Sequence, residues 1–170
     1  MNSLPNARIR LIREHETKAV SELTVEAYAA AYRLHNAYRD ELGRVAERVE
    51  TQQVWVAVDR EDGALLGTVT TPLPGRRLSD FAGAEDLDFR MLAVFPRGRG
   101  RGIGRALVAH CAGLARDRGA SRLVLHTGDD MRPAIALYER MGFERLTEIE
   151  RDFPFPPGVR YPVRVYGMTV

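Results

Sequence analysis

Residues Asp88 to Ala115 read DFRMLAVFPRGRGRGIGRALVAHCAGLA. The first part, Phe89 to Phe95, is apolar except at Arg90 and suits a buried strand. Pro96 ends it, because proline has no N–H to give to a sheet ladder. Glycine and arginine then alternate as far as Gly102, and the period changes. Ile103, Leu107, Cys111 and Leu114 fall on one helical stripe. The stretch is a strand, a glycine-rich turn and a helix. A helix start carries N–H groups without intrahelical acceptors and a partial positive charge. Glycine lets backbone approach a ligand closely, so such a turn suits a phosphate.

Two common phosphate motifs fail here. The dinucleotide fingerprint G-x-G-x-x-G breaks in every frame, with Ile103, Arg105 or Leu107 where the last glycine belongs. The P-loop needs a lysine after its glycine, and the only lysine in the chain is Lys18. What fits is Arg99-x-x-Gly102-x-Gly104 directly after the strand end Leu92-Ala93-Val94. This resembles the acyl-CoA-binding motif of the GCN5-related N-acetyltransferases, the GNAT family. A second block, Ala134 to Phe143 (AIALYERMGF), resembles the family's later helix and its exit into the next strand. Order and spacing match as well, over residues 85 to 150 and more weakly over the whole chain.

Composition sets limits on the alternatives. At 170 residues the chain is expected to form one domain, residues 1–170, with a core of its own. No apolar run approaches the roughly 18 residues of a membrane span. The first residues lack the apolar centre of a signal peptide, so the expected location is the cytoplasm. The lone cysteine, Cys111, sits on an apolar stripe and reads as a core residue. Net charge is only +2, which argues against a polycation that coats nucleic acid. The local cluster Arg97, Arg99, Arg101 and Arg105 is expected to surround the anion instead.

Taken in order, the pattern predicts a first strand at Ile9 to Ile12 and helices at Glu16 to Tyr32 and Leu34 to Val49. Strands follow at Val54 to Val58 and Ala64 to Thr70, then the central strand, turn and helix. A strand at Arg122 to Thr127, a helix at Arg132 to Met141, and strands at Phe143 to Glu150 and Tyr161 to Val170 complete it. The class is α/β with a mixed sheet of about seven strands and about four helices. The crossover between residues 88 and 127 requires a parallel pair. The order is that of the GNAT acyl-CoA N-acyltransferase fold.

Acetyl transfer from a thioester to an amine needs a neutral amine, a donor for the oxyanion and a proton for the leaving thiolate. The resemblance implies acetyl-CoA as co-substrate, no metal, and direct attack in a ternary complex. It implies main-chain contacts to the pantetheine arm from Leu92, Ala93 and Val94. It assigns the pyrophosphate to amides of Arg99, Gly100, Arg101, Gly102, Ile103, Gly104 and Arg105. Tyr138 matches the tyrosine that commonly serves as general acid, and Asp88 stands where the family often places an acidic residue, the candidate base. His126 and Glu148 are further base candidates. Where the family often has asparagine this chain has Met131, which cannot make the same hydrogen bond; Asp130 or Thr127 would have to. The acceptor is a small-molecule or peptide amine, with no nucleic-acid or membrane partner expected and a homodimer left open. The competing readings are a non-catalytic acyl-CoA sensor and an Arg-Gly nucleic-acid-binding module. The proline-rich stretch 153–158 is placed over the acceptor site or against another chain.

Overall fold

A computed structural model describes residues 6–152 and 161–170. The stretch 153–158 lies outside these residues. The architecture is a helix–sheet–helix sandwich, and its centre is a strand that changes sheets. Strands β1 (Ala7–Leu11), β2 (Gln52–Asp59), β3 (Leu65–Pro72) and β5 (Arg90–Val94) form one antiparallel sheet in that order. Strands β4 (Asp86–Asp88), β6 (Arg122–Gly128), β8 (Val163–Thr169) and β7 (Glu144–Arg145) form the second. β4 runs parallel to β6, pairing Asp86 with Arg122 and Asp88 with Val124. This is the parallel pair that the crossover requires.

Helices cover both faces. α4 (Ile103–Asp117) buries Ile103, Leu107 and Cys111 against Ala57, Leu66, Val69 and Phe89. α1 (Thr17–Ala31), α2 (Asn36–Gly43) and α3 (Val45–Thr51) bury Val20, Leu42 and Val45 against Val54, Val56, Val58 and Phe95. β2 shows the period-two logic: its valines face one helix layer and Ala57 faces the other. Leu107 is fully buried; truncating it to alanine costs about 2–5 kcal/mol. α5 (Arg132–Arg140) packs Ile135 and Tyr138 into the same core as α4. No helix among the described residues is long and apolar enough to cross a membrane.

Several expectations change in detail. The central strand is cut between Asp88 and Arg90, so the described residues form eight strands where about seven were expected. The predicted helix Leu34 to Val49 is two helices that meet at Arg44, whose φ and ψ are −84° and 48°. The Arg48 guanidinium donates to the carbonyls of Glu41 and Leu42 and so satisfies the broken helix end. The predicted strand Phe143 to Glu150 shrinks to Glu144–Arg145, followed by a 3₁₀ turn at Thr147–Ile149. On α1 the helical period predicts Val20, Leu23, Ala27 and Ala31 on one face; the buried positions are Val20, Thr24 and Tyr28, and Ala31 is exposed.

Candidate active site

The site follows from the cut in the central strand. β4 stays with β6 as far as Asp88, and the Phe89 N–H still donates to Val124 O at 3.2 Å. Met91 then takes a φ of 55°, the one described non-glycine residue with a positive φ. Such a backbone is costly for a bulky side chain and persists only where its surroundings impose it. From Arg90, paired with Thr70, the chain runs along β3 and leaves β6, so β5 and β6 splay apart. β5 is thus the edge of its sheet on the side facing the gap. The Phe95 N–H points to Leu66 O on β3. By alternation, the polar groups of Leu92 and Val94 face the open side.

One end of this edge leads to the glycine turn. A 3₁₀ turn at Pro96–Gly98 brings the chain against β3, where a Cβ at Gly98 would lie 2.2 Å from Leu66 O. Gly102 caps α4 with φ 74°, a left-handed conformation that glycine adopts without strain. The N–H groups of Ile103, Gly104 and Arg105 head the helix, where no upstream carbonyl can accept them. The N–H groups of Arg99 and Arg101 are already used inside the turn, by Pro96 O and Gly98 O, each at 3.3 Å.

The arginines divide into two pairs, which the uniform cluster expected from sequence did not anticipate. Arg97 binds Asp62 at 2.6 Å and Arg101 binds Asp59 at 2.8 Å, tying the turn to the β2–β3 hairpin. Arg99 and Arg105 are exposed and form no ion pair among the described residues. They are the cations available to a phosphate.

The other end of the edge opens into a cleft of about 150 Å³ between β5, β6, α5 and the α1–α2 corner. Tyr138 lines it from α5, 5% exposed, with its ring edge-on to Phe89 at 5.9 Å. Burial pushes its phenol well above the usual tyrosine range, so it stays protonated and can act only as a donor. Tyr28, Tyr32 and Tyr38 face it from the α1–α2 corner. The Tyr28 ring packs against Tyr32 at 5.8 Å and edge-on against Tyr38 at 6.0 Å, which holds the three rings together as one wall. His126 lines the β6 wall; burial, reinforced by Arg90, lowers its pKa to about 4 and keeps it neutral. Met131 and Thr127 also line the cleft, while the Asp130 carboxylate accepts from the Tyr161 hydroxyl at 3.2 Å.

Asp88 is not brought to this cleft. It is 3% exposed, and its carboxylate accepts from Leu78 N–H at 2.9 Å and from the Ser79 N–H and hydroxyl at 2.8 and 3.0 Å. Burial raises its pKa against the pull of these donors. The side chain is an anchor for the loop after β3. Cys111 is fully buried and its thiol pKa is pushed up, so it is no nucleophile. From sequence, the family resemblance puts the helix pair at residues 16–49 beside the acceptor site with Tyr28, Tyr32, His35 and Tyr38 around it, and all four line the cleft; the kink at Met91 was not singled out.

A kinked strand, a glycine turn at a helix start and a splayed edge between them define an acyl-CoA-type transferase architecture. Residues 13–143 match the model of the Acetyltransferase (GNAT) family, and the chain belongs to that family. It is 33% identical to mycothiol acetyltransferase of Cellulomonas flavigena over 131 residues, 71% of this chain and 37% of that protein. The match therefore spans little more than a third of that relative. A GCN5-related N-acetyltransferase from Kribbella flavida superposes with a TM-score of 0.69 at 21% identity, over 97% of this chain and 98% of that one. The acetyltransferase yncA of Salmonella typhimurium, solved with its cofactor acetyl-CoA, gives 0.64 at 20% identity, over 96% and 94%.

Proposed function

We propose that the protein transfers an acetyl group from acetyl-CoA to a primary amine by direct attack in a ternary complex. The observation that carries this reading is the continuous path along β5. Phosphate-directed amides stand at one end, unpaired Leu92 and Val94 backbone lies between, and a protonated Tyr138 phenol stands at the other. The diphosphate sits on the amides from Gly102 to Arg105, flanked by Arg99 and Arg105. The pantetheine arm pairs with the β5 edge as an added strand would. The amine nitrogen attacks the thioester carbonyl carbon, the C–S bond breaks, and the thiolate takes the Tyr138 proton. The ammonium proton passes to cleft water, because Asp88 is turned away and saturated and burial beside Arg90 opposes a protonated His126, and through that water it restores the Tyr138 phenol.

Much of the rate comes from holding both substrates together, where effective molarities of roughly 10⁵ M are reachable. The Arg-Gly run is a poor nucleic-acid surface, because Arg97 and Arg101 are neutralised by Asp62 and Asp59. The test is a thiol-release assay with acetyl-CoA and a panel of amines. Transfer predicts release that depends on acceptor. Binding of CoA with no release to any amine would turn the reading to a sensor.

A further inference from the structure

The cleft holds a cation that forms no ion pair among the described residues. Arg90 is half-buried in β5 and lines the cleft beside Tyr38 and His126, with which it interacts electrostatically. Among the described residues it forms no ion pair, while seven other arginines do. The undescribed stretches, 1–5 and 153–160, contain no aspartate or glutamate, so they hold no carboxylate side chain for it. Arg48, a like charge within its electrostatic reach, offers it no partner, being tied to the carbonyls at the end of α2 and balanced by Glu41. None of the cleft-lining residues is acidic, and Arg33 adds a second cation at the rim. A half-buried guanidinium without a counter-ion is costly unless a ligand supplies one.

We propose that the acceptor is an amine that also carries a carboxylate, the simplest being an α-amino acid with an apolar or aromatic side chain, and that Arg90 receives the carboxylate. This rests on the acetyltransferase reading of the same cleft. The guanidinium fork matches a carboxylate bidentately. The walls around it, Tyr28, Tyr32, Tyr38, Leu34 and Met131, offer apolar surface for the side chain. Polyamines and other purely cationic amines meet only like charge here and are disfavoured.

The test compares phenylalanine, methionine and leucine with their amides, which keep the side chain and amine and lose the carboxylate. In thiol release, kcat/KM for the acids is expected to exceed that for the amides by about 10- to 100-fold. The amides carry the less basic amine, so indifference to the carboxylate would give the reverse order. Arg90→Gln and Arg90→Lys, each checked for folding by its melting curve, are expected to shrink the ratio toward one, the lysine less. A second readout needs no turnover: calorimetric affinity of N-acetylphenylalanine against N-acetylphenylalaninamide on the CoA-loaded protein, with the acid expected to bind more tightly. Transfer to amides and acids alike would overturn the inference and leave the acetyltransferase reading intact. Carboxylate-selective binding lost in Arg90→Gln, with no transfer to anything, would sustain Arg90 as the carboxylate site and overturn the acetyltransferase reading. Equal binding of acid and amide would overturn the inference outright.

Discussion

The two ends of the β5 edge are built from different materials. The glycine turn is a backbone site: its donors are main-chain N–H groups, and its side chains mostly brace it, as Arg97 and Arg101 do on Asp62 and Asp59. The cleft is a side-chain site, in which phenols, the His126 imidazole and the Arg90 guanidinium, which forms no ion pair among the described residues, define the space. A backbone site is insensitive to most side-chain changes and intolerant of losing a glycine. A side-chain site keeps its fold through single changes and alters what it accepts. The same division separates binding of the shared acyl donor from choice of acceptor.

That contrast is broken most severely at Gly98. A Cβ there meets Leu66 O at 2.2 Å, and that oxygen is backbone and cannot swing aside. Gly98→Val is expected to cost about 4 kcal/mol or more, seen as loss of a cooperative melt near the parent's Tm. Gly102→Val is the milder backbone test, because nothing stands within 4 Å of its Cβ but φ is 74°. It should remain folded and lose the stabilisation that CoA gives, which at about 100 times the Kd amounts to roughly 2.7 kcal/mol. A CoA-dependent Tm shift equal to the parent's would remove the turn from the site.

Asp88→Asn sharpens the comparison from outside both ends. An amide replaces one acceptor oxygen with a donor, so Leu78 and Ser79 donors lose partners, for about 1–3 kcal/mol in urea denaturation. Its single-turnover transfer rate is expected to equal the parent's; a large loss there would restore Asp88 as the base. The smallest effect is expected at the β1–α1 joint. Arg10 binds Glu16 at 2.6 Å and holds its carboxyl down to about 2 from 4.5. A depressed folded pKa means the contribution is present above the unfolded value and is lost as pH falls toward 2. Glu16→Gln should remove about 1 kcal/mol at neutral pH, flatten that part of the acid melt and leave transfer untouched.

The backbone end was largely legible in the sequence, and for a physical reason. Pro96, Gly102 and Gly104 are residues whose covalent structure restricts or frees the chain, so they mark the turn and helix start by themselves. The strand switch was not legible, because the positive φ falls on Met91, a residue that carries no local preference for it. Surrounding packing imposes the kink, whereas side-chain alternation along one unbroken strand would set Asp88 and Arg90 on one face. The partners of Asp88 lie nine and ten residues away in a loop without periodicity. Tyr138 came from its helix and its family resemblance, and the structure adds burial at the cleft. Arg90 was visible only as a charge inside an apolar strand, and its lack of a partner needed the three-dimensional arrangement.

The proton donor tests transfer through this cleft most directly, by single-turnover measurement of Tyr138→Phe with acetyl-CoA bound and a verified acceptor. The ring and its contacts with Phe89 and Phe143 survive that change, so acetyl-CoA binding and Tm should stay close to the parent's. Transfer through the cleft predicts a rate lower by about 10- to 10³-fold, with kcat and kcat/KM falling alike. It also predicts that the parent's rate rises with pH as the amine deprotonates and shows no decline near pH 10 from Tyr138, whose phenol burial keeps protonated. An unchanged single-turnover rate in Tyr138→Phe would contradict the assignment.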